Sequence, residues 1–232
     1  MKKRFCMGKL HRIVLAALIL GLPALPLGAE GFFGRISWFV EGSLLFFPED
    51  NGMKSDPMPI LPSLGAGASY PLTSRLALEL TLDFYTTHYG YSHTLNRPVP
   101  LAIENRTARV LGFLLGLQLT RHFYLTPAVR IRAYGGPAAD LRIVLVASGL
   151  NGGFDDMDEI RRDTDLVRNY FWSQGRWFKP LVGVGADYTL NSGFRLGFDF
   201  RVWMPVYRLW TRENLPAVEG WRFGPGIRLT IP

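Results

Sequence analysis

Charged side chains that alternate with apolar ones are the residues of this sequence with the clearest chemistry. In the stretch from Arg75 to Tyr85, Glu79 and Asp83 stand among leucines that occupy every second position. On a β-strand this spacing puts the charges on one face and the leucines on the other. The same test along the chain gives a set that we expect to face a common interior: Glu41, Glu79, Asp83, Arg130, Arg132, Lys179, Asp187, Arg195, Asp199, Arg201, Arg222 and Arg228.

Ion pairing is the chemistry expected of this set. A buried charge without a partner is costly, so acids and bases that share a narrow interior must pair. A fully paired network would hold the interior shut, whereas inward glycines such as Gly112 and Gly183 could leave a narrow passage or a small-solute pocket. The sequence leaves both possibilities open.

Catalytic, cofactor and metal sites are not expected. His88, Ser92 and His93 lie close together in the sequence, but nothing in their spacing sets a base against a nucleophile. The acidic stretch 151–159 lacks the spacing of a calcium-binding loop. We therefore predict that the protein is not an enzyme, and a lipid-modifying barrel enzyme is kept only as a weaker alternative.

The elements that must position the charged set are predicted strands. Each has one nearly unbroken apolar face, while its other face carries glycines, small residues and the charges. Eight segments follow this pattern: residues 35–47, 63–72, 75–85, 109–120, 123–134, 177–190, 194–204 and 221–231.

The connections alternate strictly between short and long. Short turns are predicted at Thr73–Ser74, at Arg121–His122 and at residues 191–193, and the long connections lie near 48–62, 86–108, 135–176 and 205–220. In the third long connection, residues 140–149 could extend the fifth strand and residues 155–172 could form an amphipathic helix. If 141–149 and 166–173 were strands instead, the total would be ten.

The N-terminal leader, residues 1–29, is predicted to be a cleaved signal peptide. A basic start precedes a short apolar run at 13–22 that Pro23 and Pro26 end, and the run is too short to span a bilayer.

Five of the 26 lysines and arginines lie in this leader, which leaves 21 basic residues against 19 acidic ones, so nucleic acid is not an expected partner. The only cysteine, Cys6, also lies there, and residues 30–232 form the predicted barrel domain.

Aromatic residues occur on the apolar faces, mostly near the strand ends. Two aromatic girdles around an aliphatic belt are typical of barrels in a bilayer, whereas a soluble lipid-binding barrel turns its apolar face inward. The predicted membrane-interface aromatics are Trp38, Phe46, Tyr70, Phe84, Phe123, Phe178, Tyr188, Phe194 and Trp221. The fold class is therefore all-β: an eight-stranded antiparallel transmembrane up-and-down barrel with short periplasmic turns and long extracellular loops.

These patterns resemble the small eight-stranded outer-membrane proteins of the OmpA, OmpX and OmpW type. The chain departs from them at its end, "GIRLTIP", which lacks a final aromatic residue; spirochaete barrels are loose in this respect, so a spirochaetal source is one expectation. The resemblance implies a place in the outer membrane, contact with its lipids and with the barrel-assembly machinery, and a monomer.

The expected function is that of a narrow, OmpW-like channel or small-solute transporter with surface-exposed loops. The alternative is a non-conducting surface-display protein whose loops bind host or envelope partners. A soluble periplasmic lipid-binding barrel is the third possibility.

Overall fold

The computed structural model describes residues 34–47, 60–94, 96–101, 108–146, 157–211 and 220–231. The predicted signal peptide therefore lies outside the described residues. The barrel belongs to the unit Ser37–Pro232. The strands of the barrel unit are β1 (Ser37–Leu45), β2 (Leu61–Pro71), β3 (Leu76–Ser92), β4 (Arg97–Leu101), β5 (Ala108–Tyr124), β6 (Val129–Gly136), β7 (Ala138–Val146), β8 (Leu181–Thr189), β9 (Arg195–Trp203) and β10 (Arg222–Ile231).

The strands close into a barrel in which every neighbouring pair is antiparallel. The circuit runs through β1, β2, β3, β5, β6, β8, β9 and β10, and β10 pairs back onto β1, with Glu41 opposite Arg228. Closure leaves these strands without a free edge. The predicted eight-stranded antiparallel barrel is confirmed.

β6 and β7 are two halves of one barrel strand. Both pair with β5 in the same register, in which Leu119 faces Gly135 and Gly116 faces Ala138. Pro137 separates them because it has no N–H for the ladder, while its carbonyl still accepts from the Leu117 N–H at 3.0 Å. Residues 141–146 therefore extend the fifth barrel strand and 166–172 are helical, so the ten-strand alternative is wrong.

Three short turns lie at one end of the barrel, the short-turn end. They occupy residues 72–75, 125–128 and 190–194. The turn predicted at Arg121–His122 is wrong, because β5 continues through Tyr124 and the chain reverses at Thr126–Pro127. Proline presets one turn dihedral, and the Thr126 hydroxyl accepts from the Val129 N–H at 3.0 Å, so this dipeptide is the stronger turn signal.

The opposite, long-loop end carries added structure. The connection predicted at 86–108 is mostly an extension of the sheet, since β3 reaches Ser92 and pairs with β4. The connection at 135–176 begins as strand, and it contains helix α1 (Met157–Trp172) and a 3₁₀ turn (Ser173–Gly175). The connection at 205–220 contains a short helix α2 (Arg208–Thr211), and most of the connection at 48–62 lies outside the described residues.

Helix α1 packs against the inner face of the extended strands. Val167 and Phe171, four residues apart and therefore on one side of the helix, are buried with Tyr89, Val110 and Val144. We call this assembly of α1, β4 and the extended ends of β3, β5 and β7 the cap. Among the described residues, no helix is long and apolar enough to cross a membrane.

Candidate functional site

The barrel interior holds a continuous network of ion pairs, which we call the central network. One of its fully buried cations is Arg201. One nitrogen of Arg201, Nη1, lies 2.8 Å from Glu41 Oε1 and 2.9 Å from Asp83 Oδ2. A single guanidinium thus joins carboxylates from β1 and β3, on strands that are not its neighbours.

Arg228 joins this pair to the next carboxylates. Its Nη1 donates to Glu79 Oε2 at 2.9 Å, and its Nε lies 3.4 Å from Glu41 and 3.5 Å from Asp199. The guanidinium also lies over the Phe39 ring, 3.8 Å from its centroid. Such stacking adds attraction to the ion pairs in a site that is buried from bulk solvent.

Arg132 completes the network toward the short-turn end. Its Nη2 donates to both carboxylate oxygens of Asp199, at 2.9 and 2.8 Å, and its Nε lies 2.9 Å from Asp187. Asp187 also accepts from Arg130 Nε at 2.7 Å, and the Tyr134 hydroxyl donates to Asp199 at 2.9 Å. Nine residues of the predicted set therefore meet: Glu41, Glu79, Asp83, Arg130, Arg132, Asp187, Asp199, Arg201 and Arg228.

Arg222, a tenth predicted residue, belongs to a second cluster nearer the cap. It pairs with Asp140, and it donates to the Tyr85 hydroxyl at 3.2 Å. Tyr85 in turn donates to Asp140 at 2.8 Å, and Arg142 Nε lies 2.6 Å from the same carboxylate. With this cluster, six carboxylates face six guanidiniums in the interior.

The predicted set lacks Asp140 and Arg142, because both lie in the predicted long connection 135–176. The sequence does carry a signal for them. From Arg130 and Arg132, every second residue continues through Tyr134 to Asp140 and Arg142 without a change of phase. Extending the period-two test past Gly135, Gly136 and Pro137 finds both residues.

The remaining two predicted residues take other positions. Lys179 is buried near the cap, where its ammonium donates to the Gly220 carbonyl at 3.0 Å. Arg195 begins β9 at the short-turn end, and within the described part of the chain it forms no ion pair. The structure thus places neither in the central network.

An apolar layer lies between the long-loop connections and the central network. We call it the aromatic layer. Two of its rings fit against glycines: a Cβ added to Gly112 would overlap the Tyr85 ring, and one added to Gly183 would lie 2.5 Å from the Tyr134 ring. Inward glycines therefore make room for aromatic rings. Its buried members are Leu45, Phe47, Leu61, Tyr85, Leu114, Tyr134, Ala138, Leu181 and Trp203.

The outer face of the barrel is apolar around the whole circuit. Large hydrophobic side chains such as Leu64, at 74% exposure, and Val184, at 55%, project from it. Of the predicted interface aromatics, Trp38, Phe46, Phe84, Phe123 and Tyr188 are exposed, and Tyr70, Phe178, Phe194 and Trp221 are partly exposed. Phe123 belongs to the end of β5 rather than to the start of the next strand.

The histidine and serine considered for catalysis lie apart. His88 and Ser92 stand four residues apart on β3, a rise of about 13 Å. His93 Nε2 lies 3.2 Å from Asp163 Oδ1, which links the β3–β4 turn to α1. Within the described ranges, no group of three or more histidine, cysteine, aspartate or glutamate residues could hold a metal ion.

Comparisons with known proteins give structural likeness only. No protein-family model and no curated protein matches the sequence. Similar solved structures include the N-terminal β-barrel domain of Pseudomonas aeruginosa OprF (14% identity, TM-score 0.41, covering 84% of this chain and 97% of that one). Neisserial surface protein A is also similar, with 11% identity and a TM-score of 0.43 over 84% of this chain and 94% of that one. P. aeruginosa OprG is similar with 11% identity and a TM-score of 0.47 over 84% of this chain and 95% of that one.

Proposed function

We propose that the chain is an integral outer-membrane protein. The support comes from its inverted surface: charged side chains fill the interior, whereas leucine, valine and phenylalanine cover the outside. A soluble protein rarely exposes an apolar surface that continues around a whole barrel. In a bilayer the same face contacts lipid tails, and the closed hydrogen-bonding circuit leaves no strand edge in the hydrocarbon.

We further propose that the barrel is a closed anchor that presents its cap for binding outside the cell. The observation that carries this proposal is the double obstruction of the interior. The central network fills one level with paired charges, and the aromatic layer fills the next with buried rings. An eight-stranded barrel is only just wide enough for its own side chains, so two filled levels obstruct the interior within the part of the chain that the structure describes.

A narrow OmpW-like channel is the competing proposal. One observation favours it: within the described residues, the buried Gln118 Oε1, Thr120 Oγ1 and Ser63 Oγ have no hydrogen-bond partner. Buried polar atoms without partners attract internal water. A connected file of such waters would be a conduction path for water or small solutes.

Single-channel recording in planar bilayers decides between these two proposals. The folded full-length protein is expected to give no conductance above the bare bilayer, and steady unitary currents would overturn the closed-anchor proposal. Fractionation tests the membrane assignment separately. The protein should stay with the membrane after carbonate extraction and change its SDS-gel mobility on heating, whereas release into the aqueous fraction would refute an integral barrel.

The partners follow from the same proposal. Outer-membrane lipids surround the barrel, the assembly machinery inserts it, and a host or envelope molecule contacts the cap. Replacing residues 157–172 with a glycine–serine linker of equal length should abolish adhesion to host cells while the heat-modifiable band persists. Undiminished adhesion by that variant would contradict a recognition role for α1. We also propose a monomer without enzymatic activity.

A further inference from the structure

Two carboxyl groups of the central network meet across a glycine. Glu41 on β1 and Asp83 on β3 both stand opposite Gly65 of β2, so the three residues form one row across neighbouring strands. Gly65 has no side chain to keep the acids apart: a Cβ added to it would overlap Asp83 Oδ1 and lie 3.0 Å from Glu41 Cγ. The two acidic side chains are within hydrogen-bonding reach of each other, and we call them the acid pair.

A single guanidinium lies against both members of the acid pair. Nη1 of Arg201 lies 2.8 Å from Glu41 and 2.9 Å from Asp83. Among the described residues, the pair has one other ion-pair partner, Arg228, whose Nε lies 3.4 Å from Glu41 and whose Nη1 binds Glu79. Glu41 Oε1 and Asp83 Oδ1 receive no hydrogen bond from any described residue. The two acids therefore have less positive charge beside them than two ionised carboxylates would need.

The rest of the interior does not supply the missing cation. The other ion pairs of the central network are those of Arg130 with Asp187, Arg132 with Asp187 and Asp199, and Arg228 with Glu79 and Asp199. The network thus holds five carboxylates but four guanidiniums, and Arg201 is the cation left for the acid pair. Further cations lie in the second cluster and at the short-turn end, and within the described ranges none of them forms an ion pair with Glu41 or Asp83.

Burial makes a doubly ionised pair unfavourable. Asp83 is 1% exposed and Glu41 is 5% exposed, so water does not screen the repulsion between their charges. Two carboxylates that share such a site hold one proton between them, because both cannot stay ionised. A proton on one carboxyl group would also supply an O–H donor to an oxygen that otherwise receives no hydrogen bond. The pair would then carry one negative charge, which Arg201 balances.

We infer that Glu41 and Asp83 form a proton-binding site, in which one carboxyl group keeps its proton at neutral pH and donates a hydrogen bond to the other. The chain therefore takes up one proton when the barrel closes. The site goes beyond the proposed function, since it is the same in a closed anchor and in a channel. The other charged or titratable groups around the pair are Arg201, Arg228, Glu79, Asp199, Tyr134 and Tyr85.

The pH dependence of unfolding tests the site. In the unfolded chain both carboxyl groups are ionised above about pH 5, because an unperturbed aspartate or glutamate loses its proton near about pH 4. The folded chain then binds one more proton than the unfolded one, so stability falls as pH rises. Urea unfolding in lipid vesicles is measured between about pH 5.5 and 7 for the unmodified chain and for Asp83→Asn, which lacks the shared proton. The ratio of their unfolding equilibrium constants should change by up to about tenfold per pH unit, in the direction that weakens the unmodified chain.

Infrared spectroscopy detects the same proton directly. A protonated carboxyl group absorbs at a higher frequency than a carboxylate, and its band shifts when the sample is exchanged into heavy water. The folded, unmodified chain should show this band at neutral pH, and Asp83→Asn should lack it. Asp199→Asn should keep the band, because it replaces a carboxylate outside the acid pair that accepts from Arg132.

Matched variants separate the acid pair from the rest of the central network. Asp83→Asn keeps an N–H donor toward Glu41, so its unfolding equilibrium constant at neutral pH should stay within about threefold of that of the unmodified chain. Asp199→Asn removes a carboxylate whose two oxygens both accept from Arg132, and it should raise that constant by about tenfold or more. Glu41→Gln should behave as Asp83→Asn does, so the comparison survives if one of the two variants fails to fold.

Three results would overturn the inference: no carboxyl band at neutral pH, the same slope with pH in Asp83→Asn as in the unmodified chain, or a loss of stability in Asp83→Asn equal to that in Asp199→Asn. Replacing sodium with choline at constant ionic strength should leave the stability of the unmodified chain unchanged. If the exchange weakened the unmodified chain but not Asp83→Asn, a bound metal ion rather than a proton would balance the acid pair, and the inference would be wrong. None of these results bears on conductance or on the membrane assignment.

Discussion

Two levels of the barrel interior are filled in different ways. The central network draws every member from a barrel strand, and its contacts join strands on opposite sides, as Arg201 on β9 does with Asp83 on β3. The long-loop end is instead closed by the aromatic layer and by α1, a helix that belongs to a connection between strands.

The contacts of these two levels therefore depend on different parts of the structure. The register of the barrel strands brings the charges of the central network together. The ion pairs therefore form only when the barrel closes. Helix α1 of the cap is attached by side-chain packing around Phe171 and Val167, and its contacts can change without altering a strand pairing. Substitutions in the central network should therefore have the largest effect on stability, and substitutions in the cap should have the largest effect on recognition.

The largest expected effect is that of Arg201→Ala. It would leave Glu41 and Asp83 buried with one common cation removed, and breaking a buried pair in this way costs about 3–5 kcal/mol. Urea unfolding in lipid vesicles, followed by tryptophan fluorescence, measures the change in the free energy of unfolding. Arg168→Ala in the cap is the control and should change it by less than about 0.5 kcal/mol. Equal losses in the two variants would show that the network is not the stabilising part.

A charge on the outer face should cost somewhat less. Val184 lies in the middle of β8 and projects outward, so Val184→Arg would put a cation among lipid tails at a cost of about 2–4 kcal/mol. The same unfolding assay measures it. Leu166→Arg is the matched control, because Leu166 is an exposed apolar residue on α1 and should tolerate the charge in water. If Val184→Arg were neutral, the barrel face would be in water and the membrane assignment would fail.

Filling a glycine in the aromatic layer comes next. A Cβ at Gly112 would overlap the Tyr85 ring, so Gly112→Ala should lower the free energy of unfolding by about 1–3 kcal/mol through forced repacking. Gly42→Ala provides the control, since nothing lies within 4 Å of its added Cβ. A neutral Gly112→Ala would indicate that the layer is loosely packed, which would favour the channel proposal over the closed anchor.

The sequence predicted the strand-borne part of the molecule far better than the cap. Alternation around Glu79 and Asp83 was sufficient to assign both to the interior, because a strand has only two faces. It was not sufficient to predict that Asp83 meets Arg201, since that contact depends on the stagger of all eight strands.

Between the strands, the sequence carries more than one signal for where a turn, a strand or a helix lies. The two alternating segments 109–120 and 123–134 predict a turn at Arg121–His122, although Thr126–Pro127 has the better turn chemistry. Asp140 and Arg142 were missed where Gly135, Gly136 and Pro137 interrupt the strand signal. The amphipathic pattern of residues 155–172 is compatible with helix α1, but the burial of α1 against β3 and β7 comes from tertiary packing that periodicity cannot predict.

The smallest expected effect concerns the polar link between the β3–β4 turn and α1. Asp163→Asn removes the carboxylate that lies 3.2 Å from His93, in a pair whose histidine side chain is 69% exposed. Exposed pairs of this kind contribute about 0–1 kcal/mol, because water solvates both partners nearly as well. Hydrogen exchange of the α1 amides measures the stability of the docked helix, and Phe171→Leu, which replaces the buried ring with a smaller side chain, serves as the contrasting variant.

The apolar contact should contribute more to the docking of α1 than the ion pair does, since Phe171 packs on both Tyr89 and Arg142. If Asp163→Asn accelerated exchange more than Phe171→Leu, electrostatic contacts would hold the cap, and the proposed contrast between a charge-filled barrel and an apolar-docked cap would be wrong.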